Sequence, residues 1–211
     1  MFLFDFHHHQ SGEKSGIYNL DLGENAVDGF FSAGIHPKDA EKVTVADFEW
    51  LQKTAALTNC RAIGECGLDG LIDISEKKQT EIFAKQIEIA NFLHKPLIIH
   101  CVRRFSQMLH HRKQAQVPMI IHGFNKNRNT GNELIKHGFY LSVGKSVLHN
   151  VLLQEFVAEI PDERLLLETD ESDVPIEDIY QKTAEIKGIE IRNLQKIIQN
   201  NLETLSILPE K

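Results

Sequence analysis

Cysteine is scarce in this 211-residue chain, which contains three cysteines, and no apolar run approaches the roughly 20 residues that span a bilayer. An odd number of cysteines without a Cys-x-x-Cys motif argues against a disulfide framework and fits a reducing compartment. The amino terminus lacks the cationic region and small-residue cleavage site of a signal peptide. We therefore expect a cytoplasmic protein with no membrane segment, and nothing in the sequence indicates an obligate protein partner.

Basic residues are also few: the chain has 23 basic and 30 acidic residues and a net charge of −7. A protein that grips long duplex nucleic acid usually has a basic footprint, so this class is disfavoured. An anionic substrate stays open because bound divalent cations reverse the local charge. No Gly/Ser- or Pro-rich linker and no repeat divides the chain, which predicts a single domain over residues 1–211.

Short apolar runs alternate with longer segments of helical period. The predicted strands cover residues 2–6, 29–34, 61–64, 96–99, 119–121, 139–143 and 165–168, and the predicted helices cover 44–58, 75–94, 146–160, 176–187 and 190–205. This alternation favours a parallel sheet with right-handed crossovers. We expect an α/β fold, a TIM-type (β/α) barrel that is distorted or has seven clear strands, with an open doubly wound sheet as the alternative.

Side chains that bind metals follow or end most of these strands. They are His7, His9, Glu65, His100, His122 and Asp170. A parallel barrel assembles its chemistry at the carboxyl ends of its strands, so these side chains should meet at one rim. The sequence therefore predicts a metal centre in the mouth of the barrel.

His7 and His9 are two residues apart at the end of the first strand. Strand side chains alternate between faces, so both imidazoles should point the same way, and Asp5 shares their parity and could orient one of them. The alternatives are a remnant of an affinity tag and histidines packed in a polar core. A tag would not directly continue an apolar strand.

Glu65 directly follows a buried strand in the segment AIGECGLD. Burying its charge without a partner would cost several kcal/mol, and a metal ion resolves that conflict. Its two oxygens could bridge a pair of ions. The alternative is a salt bridge across the barrel mouth.

His100 (PLIIHC) and His122 (PMIIHG) repeat one pattern of proline, aliphatic strand and histidine. A single histidine of this kind is as often a core residue as a ligand, but two in successive units favour ligands. Asp170, in LLLETD, completes the set and is a candidate to take a proton from water.

Two further rim residues are candidates for substrate binding. His36, in AGIHPKD, could contact an anionic substrate or could simply occupy a turn, and Arg103 could bind phosphate or lie on a solvated surface. His110, His111, His137 and His149 are expected in helices on the other side of the pattern, at the surface. Cys66 and Cys101 follow two of the ligands and are expected to be buried thiols.

Six nitrogen and oxygen ligands are too many for one tetrahedral ion but suit two ions about 4 Å apart that share a carboxylate. The donor types suit zinc, manganese, iron or nickel, and carboxylate bridging leaves magnesium open. Such a pair of ions activates water and stabilises negative charge on a phosphoryl or acyl oxygen.

The ordered segments FHHHQ, AGIHPKD, AIGECGLDG, PLIIHC, MIIHGF, FYLSVG and LLLETD resemble the TatD family of metal-dependent deoxyribonucleases. The resemblance runs from residue 2 to about residue 170. It implies a TIM barrel of the metallo-dependent hydrolase type that hydrolyses phosphodiester bonds, typically in DNA. It also implies that His7, His9 and Asp170 hold one metal, that His100 and His122 hold the other, that Glu65 bridges them, and that His36 holds the substrate phosphate.

The chain departs from the family pattern at the substrate wall. Val102 occupies the position of a common arginine, with Arg103 next to it, and Asn125 and Lys126 replace a usual serine and glycine. The loop after Asp170 is also short. The leading hypothesis is an exonuclease-like deoxyribonuclease with catalytic roles for Asp170 and Glu65. The alternatives are a metal-dependent hydrolase of a small phosphoester, lactone or amide, and a non-catalytic metal-binding protein.

Overall fold

A computed structural model of the chain describes residues 3–12 and 15–209. The chain divides into two compact units. We call residues 1–17 with 122–211 the terminal unit and residues 18–121 the middle unit. The expectation of a single domain over residues 1–211 stays a prediction.

The middle unit alternates strands and helices, and it contains most of β2, which begins at the boundary. Its elements are β2 (Gly16–Leu20), β3 (Phe31–Ala33), α1 (Val45–Ala55), β4 (Cys60–Asp69), α2 (Glu76–Leu93), β5 (Leu97–Val102), α3 (Phe105–Arg112) and β6 (Met119–Ile121), with a 3₁₀ turn at Pro37–Asp39. Strands β2 to β6 pair in parallel and in chain order. Carboxyl ends of these strands therefore share one edge.

The terminal unit continues the same alternation. Its elements are β1 (Asp5–His8), α4 (Arg128–Lys136), β7 (Tyr140–Val143), α5 (Val151–Val157), β8 (Leu165–Leu167), α6 (Ile176–Lys187) and α7 (Ile191–Thr204), with 3₁₀ turns at Lys145–Leu148 and Asp162–Arg164. Strand β7 pairs in parallel with β8. A parallel bridge between His8 and Asp170 joins the end of β8 to β1. Hydrogen-bonded neighbours follow chain order throughout the eight-stranded sheet.

The strands are buried along nearly their whole length. Leu165, Leu166 and Leu167 have no exposed surface, and Leu97 and Ile98 are equally buried in β5. Continuous apolar strands of this kind are typical of parallel sheets that are covered on both faces. Each such side chain contributes about 1.5–3 kcal/mol by leaving water, so the strands that carry the polar residues are held firmly.

Within residues 3–12 and 15–209 the sheet has eight strands, one more than the seven that are clear in the sequence. The strand that the sequence pattern missed is β2, whose five residues include the buried polar Asn19. Asn19 accepts hydrogen bonds from Ser32 Oγ at 3.1 Å and from the Glu65 backbone N–H at 2.8 Å. An asparagine weakens the hydrophobic pattern by which a strand is recognised in a sequence. The polar side chain of Asn19 is satisfied by partners that are distant in sequence.

Two short helices, α3 and α4, lie outside the five ranges predicted from the sequence, although His110, His111 and His137 are expected in helices. Gly131 lies inside α4, where glycine costs about 1 kcal/mol relative to alanine. A Cβ at this position would overlap the ring of Phe156 in α5. Close packing of α4 against α5 therefore requires Gly131, the residue that weakens the helical pattern of α4 in the sequence. Within residues 3–12 and 15–209, no helix is long and apolar enough to cross a membrane.

Candidate metal centre

In the terminal unit, β1 and β8 bring His7, His9 and Asp170 together. Asp170 Oδ1 lies 3.7 Å from His7 Nε2 and 3.6 Å from His9 Nε2. The backbones are joined by hydrogen bonds from Asp170 N–H to the His7 carbonyl at 2.9 Å and from His9 N–H to the Asp170 carbonyl at 3.3 Å. The predicted parity of His7 and His9 thus places both rings beside one carboxylate. We call these three residues the terminal cluster.

The backbone of Asp170 has a φ of +57°, in the left-handed region that aspartate adopts more readily than most residues. The preceding residue, Thr169, is held by the buried carboxylate of Asp5, which accepts hydrogen bonds from its backbone N–H at 2.9 Å and from its hydroxyl. Burial raises the pKa of Asp5 to about 7, although the bonds from Thr169 oppose that rise. Asp5 therefore supports the turn before Asp170, and its role in orienting an imidazole stays a prediction.

His122 follows β6 and lies against His7, with ring centroids 4.6 Å apart. Its Nδ1 is 3.5 Å from Oε1 of Glu168, a fully buried carboxylate that also accepts the Gly123 backbone N–H. Burial opposes ionisation of Glu168, but the hydrogen bond and charge of His122 and the charge of His7 outweigh it, and the pKa is lowered. Glu168 is therefore an anionic partner that orients His122.

In the middle unit, β4 and β5 bring Glu65 beside His100, and the segment after β3 adds His36. Glu65 Oε1 is 2.7 Å from His100 Nδ1 and 3.4 Å from His36 Nε2. We call these three residues the middle cluster. The strands approach closely because Gly67 faces His100, where a Cβ would overlap the carbonyl oxygen.

The imidazole of His100 lies between two carboxylates. Its second nitrogen, Nε2, is 3.0 Å from Asp69 Oδ2 at the end of β4. Asp69 is itself fixed, because its Oδ1 accepts the Leu71 backbone N–H at 2.7 Å and its own N–H donates to Gln79 at 2.8 Å. A proton on Nε2 donated to Asp69 leaves the lone pair of Nδ1 directed to the side of Glu65.

The two predicted substrate contacts belong to the middle unit. His36 Nδ1 accepts the Lys38 backbone N–H at 2.9 Å, which turns Nε2 toward Glu65. This position makes His36 a candidate metal ligand as well as a candidate for binding phosphate. Arg103 is exposed just beyond β5, with a φ of +55°, whereas the neighbouring Arg104 pairs with Glu76 at 3.3 Å. The roles of His36 and Arg103 in substrate binding stay predictions.

The residues of both clusters fit a divalent metal ion. In each cluster, the three ligand atoms lie within 4.8 Å of one another. Nitrogen ligands about 2.1 Å from a tetrahedral zinc ion would lie about 3.4 Å apart, close to the separations seen here. The donors are imidazole nitrogens and carboxylate oxygens, which suit zinc, manganese, iron or nickel, with magnesium open through the carboxylates. Cys66 and Cys101 are buried, as predicted, and burial raises the pKa of the Cys66 thiol.

Sequence reasoning missed Asp69 and Glu168. Both are buried carboxylates at strand ends, and Glu168 directly follows the apolar run LLL. The argument that singled out Glu65, a charge that burial would penalise, applies equally to Glu168. Asp69 carried no such signal, because β4 continues through Gly67 and Leu68 beyond the predicted strand of residues 61–64.

The fold is shared with solved structures of low sequence identity. YjjV, a TatD homologue from Escherichia coli K12, has a TM-score of 0.84 at 21% identity, with 98% of both chains covered. A TatD family hydrolase from Entamoeba histolytica has a TM-score of 0.79 at 15% identity, covering 96% of this chain and 97% of that one. The chain is therefore a TIM-type (β/α) barrel that carries histidine–carboxylate clusters at its strand ends.

The sequence also matches a known family over most of its length. The family described as TatD related DNase matches residues 13–206. The chain belongs to this family.

Two curated relatives are similar over a shorter range. YabD of Bacillus subtilis (strain 168), named as an uncharacterized metal-dependent hydrolase, is 36% identical over 147 residues, which are 67% of this chain and 58% of YabD. TatD of Escherichia coli (strain K12), named as a 3'-5' ssDNA/RNA exonuclease, is 32% identical over 146 residues, 66% of this chain and 56% of TatD. The chain thus matches little more than half the length of these relatives.

Proposed function

We propose that the protein is a metal-dependent hydrolase that cleaves phosphodiester bonds at the ends of single-stranded nucleic acid, with DNA as its substrate. The observation that carries the proposal is the pairing of histidines with a carboxylate at ligand distance in each of the two clusters. The exonuclease named among the relatives supports the choice of substrate. The net charge of −7 favours trimming of ends over binding along a duplex.

We propose that the terminal cluster would hold one ion and that His100 and His122 would hold a second. Glu65 would contribute to both. Bound divalent ions would lower the pKa of water and stabilise charge on a phosphoryl oxygen. The number and identity of the ions are part of the proposal.

Three carboxylates in or beside the clusters have two roles in this proposal. Asp170, whose side chain is 40% exposed, is accessible to the reacting water and accepts its proton. Asp69 and Glu168 hold the rings of His100 and His122, so that the ligand nitrogens keep one orientation. His36 and Arg103 bind the substrate phosphate.

The alternative substrate is a small phosphoester, lactone or amide. The connection after β8 favours it, because α6 begins at Ile176, only six positions after Asp170. Such a short loop offers few contacts to a polymer on that side of Asp170.

The decisive experiment uses metal-stripped protein resupplied with magnesium, manganese or zinc and a labelled single-stranded DNA oligonucleotide, with an RNA oligonucleotide in parallel. We expect metal-dependent cleavage from one end. The variant Glu65→Gln should lower kcat/KM by more than about 100-fold because it weakens metal binding. The matched variant Glu155→Gln alters an exposed glutamate on α5 and should stay within about twofold of the wild type.

Two outcomes would overturn the nuclease proposal. Metal-loaded protein that leaves both oligonucleotides intact but hydrolyses a small phosphoester, lactone or amide would establish the alternative substrate. Metal-loaded protein with no turnover on any of these would establish a non-catalytic metal-binding protein. The cytoplasmic location and the lack of an obligate protein partner stay predictions.

A further inference from the structure

A small cavity in the terminal unit adjoins Asp170. The other polar residues that line it are not candidate metal ligands. Its volume is about 120 Å³. The loops after β6 and β7 and the end of β8 form its walls. Its lining residues include Asn125, Lys145 and Ser146, which have polar side chains, and Glu168 and Asp170, which have carboxylates.

The amide, ammonium and hydroxyl groups at this cavity are available to a ligand. Within the part of the chain that the structure describes, the side chains of Asn125, Lys145 and Ser146 form no hydrogen bond or ion pair with protein groups. The two carboxylates are already engaged, since Glu168 faces His122 and Asp170 faces His7 and His9. Among the residues that line the cavity, Lys145 supplies the cation.

The size of the cavity limits what it can hold. A volume of about 120 Å³ corresponds to roughly four water molecules at about 30 Å³ each. A phosphate group has five heavy atoms and fits this space. A lysine ammonium recognises phosphate as a point charge, and amide and hydroxyl groups add hydrogen-bond donors.

We propose that Asn125, Lys145 and Ser146 form a subsite for one phosphate group of the substrate beside Asp170. This inference rests on the proposed function and deepens it, because the subsite selects phosphate esters over neutral lactones and amides. Asn125 is also one of the positions where the chain departs from the family pattern. The phosphate belongs either to a nucleic acid strand or to a small phosphoester.

The first test compares kinetics of wild type, Lys145→Gln and the control Lys136→Gln, which changes an exposed lysine at the end of α4 outside the cavity. On a metal-loaded phosphate ester, Lys145→Gln should raise KM about tenfold and change kcat by less than twofold. With an oligonucleotide, the slope of log KM against log salt concentration should also fall by about one. Lys145→Arg should recover most of the loss, and Lys136→Gln should match the wild type.

The second test measures binding of inorganic phosphate to the metal-loaded proteins by calorimetry. Affinity about tenfold lower for Lys145→Gln than for Lys136→Gln supports the subsite, even if oligonucleotides are not cleaved and the nuclease proposal fails. Equal phosphate affinities in these two variants would overturn the subsite, even if the wild type cleaves DNA. If Lys145→Gln raises KM for oligonucleotides alone, the phosphate belongs to a nucleic acid strand. If it raises KM for small phosphoesters alone, the phosphate belongs to a small phosphoester.

Discussion

At the residue scale, the chemistry of the candidate centre depends on which nitrogen of each imidazole is available. His100 has Glu65 on one side and Asp69 on the other, and His122 faces the buried Glu168. A histidine with a carboxylate partner on one nitrogen keeps the other nitrogen in a fixed direction. Asp69 and Glu168, which are not candidate ligands, therefore determine the direction of the ligand nitrogens of His100 and His122.

Changing Asp69 to asparagine tests this role directly. Asp69→Asn removes the charge that holds the Nε2 proton of His100, so metal affinity of the metal-stripped protein should fall about 10- to 100-fold. A competition titration against a fluorescent chelator measures the affinity. Asp73→Asn changes an exposed aspartate four positions away and should leave it unaltered. Equal affinities for the two variants would exclude the positioning role of Asp69.

At the scale of elements, two helices show how tertiary packing overrides local pattern. α4 contains Gly131 against Phe156 of α5. Gly131→Ala improves helix propensity by about 1 kcal/mol, but the added methyl group overlaps the ring. We expect the free energy of unfolding to fall by about 1–3 kcal/mol in chemical denaturation. Gly29→Ala, where the methyl group meets nothing within 4 Å, should be close to neutral, and a neutral Gly131→Ala would contradict the packing.

The second helix, α3, buries a histidine that the sequence analysis expected on the surface. His111 is 4% exposed, and its ring lies 5.1 Å from that of Phe83 in α2 and 6.0 Å from that of His110. Burial lowers its pKa from the usual 6.5, and the charge of His110 contributes, although a hydrogen bond with Gln114 opposes the shift. The folded protein thus holds this imidazole in its neutral form over a wider pH range than the unfolded chain does.

This burial predicts a pH dependence of stability. Below pH 6.5 the unfolded chain takes up a proton at His111 that the folded protein resists, so stability is complete above pH 6.5 and is lost as the pH falls toward the folded pKa. Urea unfolding between pH 5 and 7.5 should show a smaller loss for His111→Leu than for the wild type. The control is His94→Asn. His94 is exposed, and its backbone lies in the left-handed region, which asparagine tolerates. A wild-type loss that persists in His111→Leu would assign the dependence to other groups.

At the scale of the whole molecule, metal binding should couple to folding. The terminal cluster links β1, near the amino terminus, to the end of β8, more than 150 residues later. A metal ion bound only by the folded protein, at a concentration about 1,000 times its Kd, adds about 4 kcal/mol of stability. That corresponds to an increase in Tm of roughly 8–16 °C for a protein of this size.

The change in Tm on adding EDTA measures this coupling. We expect chelation to lower the Tm of the wild type and of His149→Ala, which alters an exposed histidine outside both clusters. His9→Ala should lower the metal-loaded Tm and respond less to chelation, because the terminal cluster then has lost a ligand. The same response to EDTA in both variants would show that the terminal cluster binds no metal.

The sequence alone determined the alternation of strands and helices, the fold class, the family and the types of candidate ligand at the strand ends. It could do so because burial of parallel strands requires apolar runs, and a polar residue that interrupts such a run is conspicuous. Only the tertiary structure revealed β2, the buried His111, and the neighbours of each ligand. Asn19, Asp69 and Glu168 are polar side chains whose partners are distant in sequence, and no local pattern encodes that proximity.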